Sequence, residues 1–382
     1  MKARVIAYYL PQYHPIPEND RWWGKGFTEW TNVGKAQPLF KGHYQPRVPA
    51  DLGYYDLRMP EVREQQAQMA REAGIEGFCY WHYWFSHDRQ LLERPFNEVL
   101  ASGKPDFPFC LGWANHEWTN KSWEVGIRKI KETVLMDMTY TMEEHRLHFQ
   151  DVLPAFRDKR YITVDGKPLF VVFRPLDIPE TRAFIDLWQQ LARENGLKGI
   201  YFIGIQHNML PTDQTLSNVI RKNASDRASE LYQEVLNAGF DAVNSRGYNR
   251  ADYYSRSAVE VLWRGFSIRA LHRMPISKCE QKTINKYLYV EQDRWENVFP
   301  SLFPNWDRSA RSGRKARIYV NSTPEVFKNQ ISTVLDLLKD KQPEHRIAFL
   351  MSWNEWAEGN YVEPDLRYGH GYLDALASTI KD

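Results

Sequence analysis

The sequence has few cysteines and no long apolar segment. Its three cysteines, Cys79, Cys110 and Cys279, are an odd number without metal-binding spacing, so we expect small buried hydrophobic residues. No apolar run approaches the roughly 18 residues of a membrane-spanning helix, and the N-terminal stretch lacks the apolar region of a signal peptide. These absences predict a cytoplasmic protein with no membrane span.

An excess of charge is also absent. The chain contains 50 Lys and Arg against 48 Asp and Glu, which gives a net charge of +2. Nucleic acids and anionic membranes attract proteins with a strongly basic surface. We therefore predict no nucleic-acid partner.

Possible metal ligands lack the spacing of known metal motifs. His82, His116, Glu117, His207 and Asp307 could converge in a fold, but the sequence has no His-x-His, His-x-x-x-His or Glu-x-x-His. We predict no metal ion and no cofactor.

Nucleophile and nucleotide motifs are missing as well. No Gly-x-Ser-x-Gly elbow is present, which argues against a serine hydrolase. Gly24-Lys25-Gly26 lies in a predicted loop without the rest of a dinucleotide fingerprint. A doubly wound nucleotide-binding sheet is therefore disfavoured.

Aromatic residues, in contrast, are abundant. The chain has 14 Trp and 21 Tyr, many beside Gly, Asn, His or Glu. Flat aromatic faces stack on sugar rings while polar neighbours bind hydroxyl groups. The alternative is an aromatic-rich core, and we expect about half of the rings to serve only in packing. The remainder predict an oligosaccharide or polysaccharide partner.

Short apolar runs alternate with amphipathic helical stretches along the chain. This alternation predicts a parallel sheet with crossover helices. The predicted strands are 4–9, 77–80, 107–111, 168–173, 200–205, 242–244, 298–303 and 347–351, with 318–321 as an extra strand or the true seventh. Eight such units predict one (β/α)8 TIM barrel over residues 1–382, with long strand-to-helix loops and an insertion at about 246–297. Within the insertion the pattern predicts only a helix at 258–265.

Nearly every predicted strand ends in polar or aromatic residues. The carboxyl ends of barrel strands meet at one active-site face, so we expect these side chains to converge. The candidate substrate-binding residues are Tyr9, Gln12, Trp22, Trp23, Glu29, Trp30, His43, Tyr44, Trp81, His82, Trp113, Asn115, Arg174, His207, Trp306, Asp307, Trp353, Asn354, Trp356, Tyr361 and Glu363.

Two further glutamates, Glu355 and Glu358, are the candidate catalytic residues. They follow the last apolar run in a loop rich in tryptophan. On a helical turn, residues three apart lie roughly 5 to 6 Å apart on one face. Retaining glycosidases hold their two carboxyl groups about 5 to 5.5 Å apart, so a turn here predicts retention of anomeric configuration. The alternative is a pair of solvated surface glutamates.

Long motifs resemble one known family. They lie at residues 6–20, 22–33, 40–46, 94–95, 113–115 and 353–364, and they are similar to the WbsX-like family. Members are often labelled glycosyltransferases of O-antigen and other polysaccharide clusters. Through Glu355-Trp356-Ala357-Glu358-Gly359 the family is in turn similar to glycoside hydrolase family 99, retaining endo-acting mannosidases with a (β/α)8 fold.

The resemblance implies roles for the glutamates. Glu358 matches the general acid/base, and Glu355 matches the residue proposed to deprotonate the sugar 2-hydroxyl, which gives a 1,2-anhydro intermediate. Glu363 matches a further acidic position. The segment Asn115-His116-Glu117-Trp118 departs from the Asn-Glu-x-Trp of many family members, so substrate specificity should differ from the family's if His116 or Glu117 contacts substrate.

Three functions remain open at this point. The leading expectation is a retaining glycoside hydrolase acting on bacterial polysaccharide of the mannose or rhamnose type. A glycosyltransferase or transglycosylase of O-antigen or polysaccharide biosynthesis is the second, although the sequence has no Asp-x-Asp motif to hold a nucleotide-sugar metal. A non-catalytic glycan-binding protein is the third.

Overall fold

Eight parallel strands form a closed barrel. The structure is a computed structural model that describes residues 2–120, 132–207, 227–272 and 274–381. The strands are β1 (Arg4–Tyr9), β2 (Gly77–Ser86), β3 (Phe109–Trp113), β4 (Lys167–Val172), β5 (Tyr201–Gln206), β6 (Ala242–Ser245), β7 (Val298–Leu302) and β8 (Ile347–Leu350). Each strand pairs with the next, and β8 pairs with β1 to close the ring. The predicted (β/α)8 barrel is confirmed.

Helices surround the barrel. Helix Pro60–Glu72 precedes β2. The helices that follow β2, β3, β4, β5, β7 and β8 are, in that order, Arg94–Ser102, Met142–Phe156, Thr181–Glu194, Ala228–Asn237, Pro324–Leu338 and Gly371–Ile380. Helix Pro324–Leu338 begins with a side-chain cap: the Thr323 hydroxyl accepts a hydrogen bond from Val326 N, and Pro324 occupies the first turn. Helix Thr181–Glu194 buries Phe184, Trp188 and other side chains at helical spacing against the sheet.

The loop after β1 is partly helical. It contains the short helices Pro17–Trp23 and Glu29–Lys35, where the sequence predicted only a long loop. The second helix begins at Thr28, whose backbone N–H donates to the Thr31 hydroxyl at 3.1 Å. This local turn places Glu29 in a fully buried position near the strand ends.

The segment between β6 and β7 contains more structure than the sequence indicated. It forms helices Tyr248–Ser255, Ala258–Ala270 and Gln281–Leu288, whereas only the middle one was predicted. Helix Tyr248–Ser255 is rich in polar and aromatic residues and lacks a clear apolar period, whereas helix Gln281–Leu288 buries Ile284 and Leu288 at helical spacing and was not recognised in the sequence. Strand Ser277–Glu280 pairs with Arg317–Val320 outside the barrel. The run at 318–321 is therefore the extra strand, and β7 is the seventh.

Two of the cysteines lie in the barrel wall. Cys79 in β2 and Cys110 in β3 are buried, and Cys279 is half-buried. In the part of the chain that the structure describes, no helix has both the length and the apolar character needed to cross a membrane.

Candidate active site

One cavity lies at the carboxyl ends of the barrel strands. Its volume is about 430 Å³, a size suited to a small molecule or a short stretch of glycan. Eight of the residues predicted from sequence line it: Gln12, Trp23, Trp81, Arg174, His207, Trp306, Glu355 and Glu358.

The two candidate catalytic glutamates lie on a tight turn. Asn354–Glu355 is a short strand segment, and Trp356–Glu358 forms one turn of 3-10 helix that ends at Gly359. The predicted turn is present, and both carboxyl groups face the cavity. Both also bind one guanidinium, that of Arg311.

Arg311 joins three carboxyl groups. Its Nη2 lies 2.7 Å from Oε1 of Glu29 and 3.2 Å from Oε2 of Glu355, and its Nη1 binds Oε1 of Glu358. Arg308 adds a second cation, 3.3 Å from Glu358 Oε1. The three carboxyl groups are mostly or fully withdrawn from solvent, so they interact strongly with Arg311.

The sequence analysis missed Arg308 and Arg311. Both follow β7, and the short helix Ser309–Ser312 carries Arg311. The Asp307 carboxylate accepts a hydrogen bond from Ser309 N at 3.0 Å and so fixes the start of this helix. Their position after a predicted strand end is the signal that could have identified them.

The environment separates the proton affinities of the two glutamates. Burial raises the pKa of Glu355 to about 8. The positive charge of Arg311 lowers this pKa, and the negative charges of Glu358 and Glu29 raise it. Burial also acts on Glu358, but the charges of Arg308 and Arg311 outweigh it and lower the pKa of Glu358 below its ordinary value. Near neutral pH the pair therefore holds one proton, which resides on Glu355.

The glutamate turn is anchored to β1 by an amide. The Oδ1 of Asn354 accepts from Leu10 N at 2.8 Å, and its Nδ2 donates to Leu10 O at 3.1 Å. Trp356 stacks on Tyr361 with ring centroids 3.8 Å apart. These contacts place Asn354, Trp356 and Tyr361 behind the turn, where they position the glutamates without lining the cavity.

Glu363 serves the same turn. It is buried and accepts hydrogen bonds from Tyr55 Oη at 2.9 Å, Gln66 Nε2 at 2.6 Å and Trp356 Nε1 at 2.6 Å. Burial raises the pKa of Glu363 to about 7, against these hydrogen bonds. Trp30 packs on the other side of Trp356, with centroids 5.5 Å apart. Neither residue lines the cavity.

Gly359 brings the loop after β8 against the loop after β7. Its φ of +59° lies in the left-handed region, and a Cβ atom there would lie 2.7 Å from Asp307 O. The Asp307 N–H also donates to Glu358 O at 2.9 Å. Glycine at this position therefore permits the contact that holds Glu358.

Three predicted binding residues line a different cavity. His43, Tyr44 and Asp307 border a space of about 380 Å³ beside the insertion. The Oδ2 of Asp307 lies 2.8 Å from His43 Nε2 and 2.8 Å from Gln45 Nε2. Asp307 thus acts on the catalytic cavity through the segment that carries Arg311.

The remaining predicted residues are packed in the barrel wall or in the loops beside it. Tyr9 donates to Gln66 at 2.6 Å, His82 lies 3.0 Å from His148, and the Trp113 indole donates to Trp84 O at 2.8 Å. The Asn115 side chain exchanges two hydrogen bonds of 2.8 Å with the backbone of Arg174. Trp353 is fully buried, and Trp22 packs on Trp118. The structure does not bring these side chains to the cavity surface.

Other cavity residues were not predicted to bind substrate. They include Tyr83, His116, Trp118, Phe173, Arg246 and Tyr248. His116 and Trp118 belong to the segment that departs from the expected pattern, whereas Glu117 does not line the cavity. The departure therefore places a histidine at the cavity surface.

The cavity continues past a stacked aromatic pair. Tyr248 and Trp306 lie with ring centroids 5.2 Å apart and an interplanar angle of 23°. Together with Arg308 they also line an adjoining depression of about 330 Å³. The cleft is thus longer than the space around the glutamates. Among the described residues, no three His, Cys, Asp or Glu side chains are grouped as a metal site.

Comparison with known proteins assigns the family. The model of a family described as "Glycosyltransferase WbsX" matches residues 5–376. The chain belongs to this WbsX family. A curated relative, "Uncharacterized protein WxcX" of Xanthomonas campestris pathovar campestris, is 35% identical over 383 residues. That match covers 100% of this chain and 50% of the relative, so the chain spans about half the length of the curated relatives that it matches.

Solved structures with the same fold include glycoside hydrolases. This WbsX-family chain is similar to a "Glycoside hydrolase-like protein" with a TM-score of 0.56 and 15% identity, covering 100% of this chain and 94% of that one. It is also similar to a GH99 endo-alpha-mannosidase from Bacteroides thetaiotaomicron, with a TM-score of 0.54 and 14% identity, covering 100% and 96%. At this identity the likeness shows the barrel fold. The resemblance found in the sequence is confirmed.

Proposed function

We propose that this protein is a retaining glycoside hydrolase that acts on bacterial polysaccharide of the mannose or rhamnose type. The observation that carries the proposal is the pair Glu355 and Glu358, two buried carboxyl groups on one guanidinium at the cavity surface. Their unequal proton affinities supply one acid and one base at neutral pH. Membership of a carbohydrate-active family and a fold shared with glycoside hydrolases agree with this reading.

The reaction needs two proton transfers. One carboxyl group donates a proton to the glycosidic oxygen as the bond from C1 to that oxygen breaks. The other removes the proton of the sugar 2-hydroxyl, and O2 then closes on C1 to form a 1,2-anhydro sugar. Water opens this intermediate at C1, gives one proton back to the first carboxylate, and O2 regains its own proton from the second. Two inversions at C1 retain the anomeric configuration.

The two glutamates can be assigned in two ways. The family resemblance makes Glu358 the acid/base and Glu355 the base on the 2-hydroxyl. The charges of the protein around the two glutamates favour the reverse, because burial keeps a proton on Glu355 while Arg308 and Arg311 hold Glu358 ionised. Under the first assignment, bound substrate must move the proton from Glu355 to Glu358.

Aryl glycosides with good and poor leaving groups test both the proposal and the assignment. The variant of the acid should lose turnover of poor leaving groups and keep much of it for 4-nitrophenolate, which needs little protonation. The variant of the base should lose turnover of substrates with poor leaving groups and of those with good ones. We would compare Glu355→Gln and Glu358→Gln with Glu325→Gln, an exposed position on helix Pro324–Leu338. Full activity of both active-site variants would contradict the proposal.

Transfer between glycans is the second candidate. It is favoured by the family description and by the depression beyond Tyr248 and Trp306, which could hold an acceptor sugar. The panel to test is α-mannans, rhamnans and O-antigen polysaccharides, with and without nucleotide sugars, with products read by mass spectrometry. Shortened products with retained configuration by NMR support hydrolysis, and lengthened products that require a nucleotide sugar support a glycosyltransferase. Binding without any product would favour a non-catalytic glycan-binding protein.

A further inference from the structure

Arg246 is a buried cation at the surface of the catalytic cavity. It follows β6, is 3% exposed and lines the cavity together with Glu355 and Glu358. Its guanidinium carbon lies 4.4 Å from the ring centroid of Tyr8 and 5.5 Å from that of Trp81. These stacked rings hold the guanidinium in place and leave its charge intact.

Within the described residues, no carboxylate lies within ion-pair distance of Arg246. The Nε of Arg246 donates to Asn244 Oδ1 at 3.3 Å, and its Nη2 is buried without a hydrogen-bond partner. Its charge acts on Glu358 from a greater distance and helps to lower the pKa of that carboxyl group. The other cavity arginines have direct carboxylate partners: Arg311 binds three carboxyl groups, Arg308 lies 3.3 Å from Glu358, and Arg174 lies 3.2 Å from Asp177. A buried cation without a direct carboxylate partner is costly, so a site that keeps one gains from an anionic ligand.

Two histidines add unpartnered nitrogens on the same side of the cavity. The Nδ1 atoms of His116 and His207 are both buried and have no hydrogen-bond partner in the described ranges. Phe173 joins them, with ring centroids 5.2 Å from His116 and 5.4 Å from His207. Burial lowers the pKa of each imidazole to about 4, so both rings are neutral near pH 7 and each carries one N–H.

We propose that Arg246, assisted by His116 and His207, forms a subsite for an oxyanion carried by the glycan substrate. The group is a uronic acid carboxylate or a phosphoryl group on a sugar next to the bond that is cleaved. A planar guanidinium suits both, because its N–H groups match the spacing of two oxygens. The inference rests on the proposed function, and it narrows the substrate class to acidic polysaccharide.

Matched glycans test the subsite in the wild-type protein. We would use glucuronomannan oligosaccharides before and after carboxyl reduction, and phosphorylated mannan oligosaccharides before and after phosphatase treatment. Binding is measured by calorimetry and cleavage by kcat/KM. A hydrogen-bonded charge pair predicts about 10- to 100-fold preference for one charged form over its neutral counterpart. The arm that shows the preference identifies carboxylate or phosphate.

Variants assign the preference to Arg246. Arg246→Gln should remove the preference, measured as the ratio between charged and neutral glycan within that variant, and Arg246→Lys should keep part of it because a cation remains. Arg182→Gln is the matched control, since Arg182 is exposed on helix Thr181–Glu194 and paired with Asp186. Thermal unfolding of each variant shows whether it folds. If Arg246→Gln does not fold, the comparison of charged and neutral glycans with the wild-type protein still tests the subsite.

The outcomes separate this inference from the proposed hydrolase. Equal cleavage of charged and neutral glycans by the wild type overturns the anion subsite and leaves the hydrolase supported. Charge-dependent binding lost in Arg246→Gln, without cleavage of any glycan, supports the subsite and overturns the hydrolase. A preference that persists in Arg246→Gln overturns the role of Arg246.

Discussion

The Nη2 nitrogen of Arg311 lies 2.7 Å from Oε1 of Glu29, a carboxyl group with no exposed surface. The two residues belong to the loops after β7 and β1, which are far apart in sequence. Because the same guanidinium binds Glu355 and Glu358, this bond fixes the cation that lies against both candidate catalytic glutamates. Glu29 is therefore a positioning residue of the candidate site.

Replacing Arg311 with methionine should destabilise the fold. Three buried carboxyl groups would lose their shared cation, and breaking a buried ion pair typically costs about 3–5 kcal/mol. Burial would then hold the folded-state pKa of Glu29 and Glu355 still further above the unfolded value, so the free energy of unfolding should rise more steeply than in the wild type as pH falls from about 8 to 5. Urea unfolding of the variant and the wild type at several pH values measures the difference. A variant whose stability follows pH no more steeply than that of the wild type would contradict the charge network.

Arg308→Met is the control for this prediction. Arg308 is partly exposed and contacts only Glu358 of the three carboxyl groups. Because Arg308 is partly exposed and contacts one carboxyl group, its loss should lower the urea midpoint less than the loss of Arg311 and should raise the pKa of Glu358.

The pH dependence of activity should follow the proton on Glu355. The pKa of Glu355 is raised to about 8, so this group is protonated below that pH and loses its proton above it. Catalysis that needs one protonated and one ionised carboxyl group should therefore decline above about pH 8 in kcat/KM, which reports the free enzyme. Constant kcat/KM up to pH 9.5 would show that the resting proton is not required.

Gly359→Ala should affect both stability and activity. The new methyl group would meet Asp307 O at 2.7 Å, in addition to the cost of a left-handed conformation, about 1–2 kcal/mol. Gly369 provides the matched control, because its φ is +52° and a Cβ there has nothing within 4 Å. Gly369→Ala should show only the conformational cost. Equal melting temperatures for the two variants would exclude the close approach at Asp307 as a constraint.

Trp306→Ala should impair long substrates more than short ones. Trp306 stacks on Tyr248 between the cavity and the adjoining depression, so its ring would contact sugars beyond the cleaved bond. Aromatic stacking contributes about 0.5–1.5 kcal/mol, which predicts a 2- to 12-fold rise in KM for longer oligosaccharides. Trp263→Ala, on the exposed face of helix Ala258–Ala270, is the control. An equal rise in KM for short and long oligosaccharides would argue against an extended cleft.

The barrel could be predicted because each strand is a short apolar run with a polar end. The predicted strands coincide with the observed ones to within a few residues, except β2, which extends to Ser86 through aromatic residues that read as a loop. Helix Tyr248–Ser255 of the insertion was not predicted, because it has mainly polar and aromatic side chains and little apolar periodicity. Helix Gln281–Leu288 was also missed, because its eight residues give only a short periodic signal.

The site was predictable only where its chemistry is local. Glu355 and Glu358 share one turn, so their spacing in sequence gives their relation in space. Arg311 and Arg246 act through partners on distant loops, and no short motif records such contacts. The predicted tryptophans fall into two groups: Trp81 and Trp306 line the cavity, whereas Trp113 and Trp353 are fully packed in the interior. The direction of each side chain depends on strand register, which the sequence does not show.

The anchoring of Asn354 to the backbone of Leu10 has a consequence for biosynthesis. Leu10 follows β1, the first of the eight barrel strands to be synthesised, and Asn354 follows β8, the last of the eight. Glu355 and Glu358 therefore reach their positions at the cavity only after β8 has paired with β1 and closed the barrel. A nascent or truncated chain that ends before β8 should be inert toward glycans, however well its earlier βα units have folded.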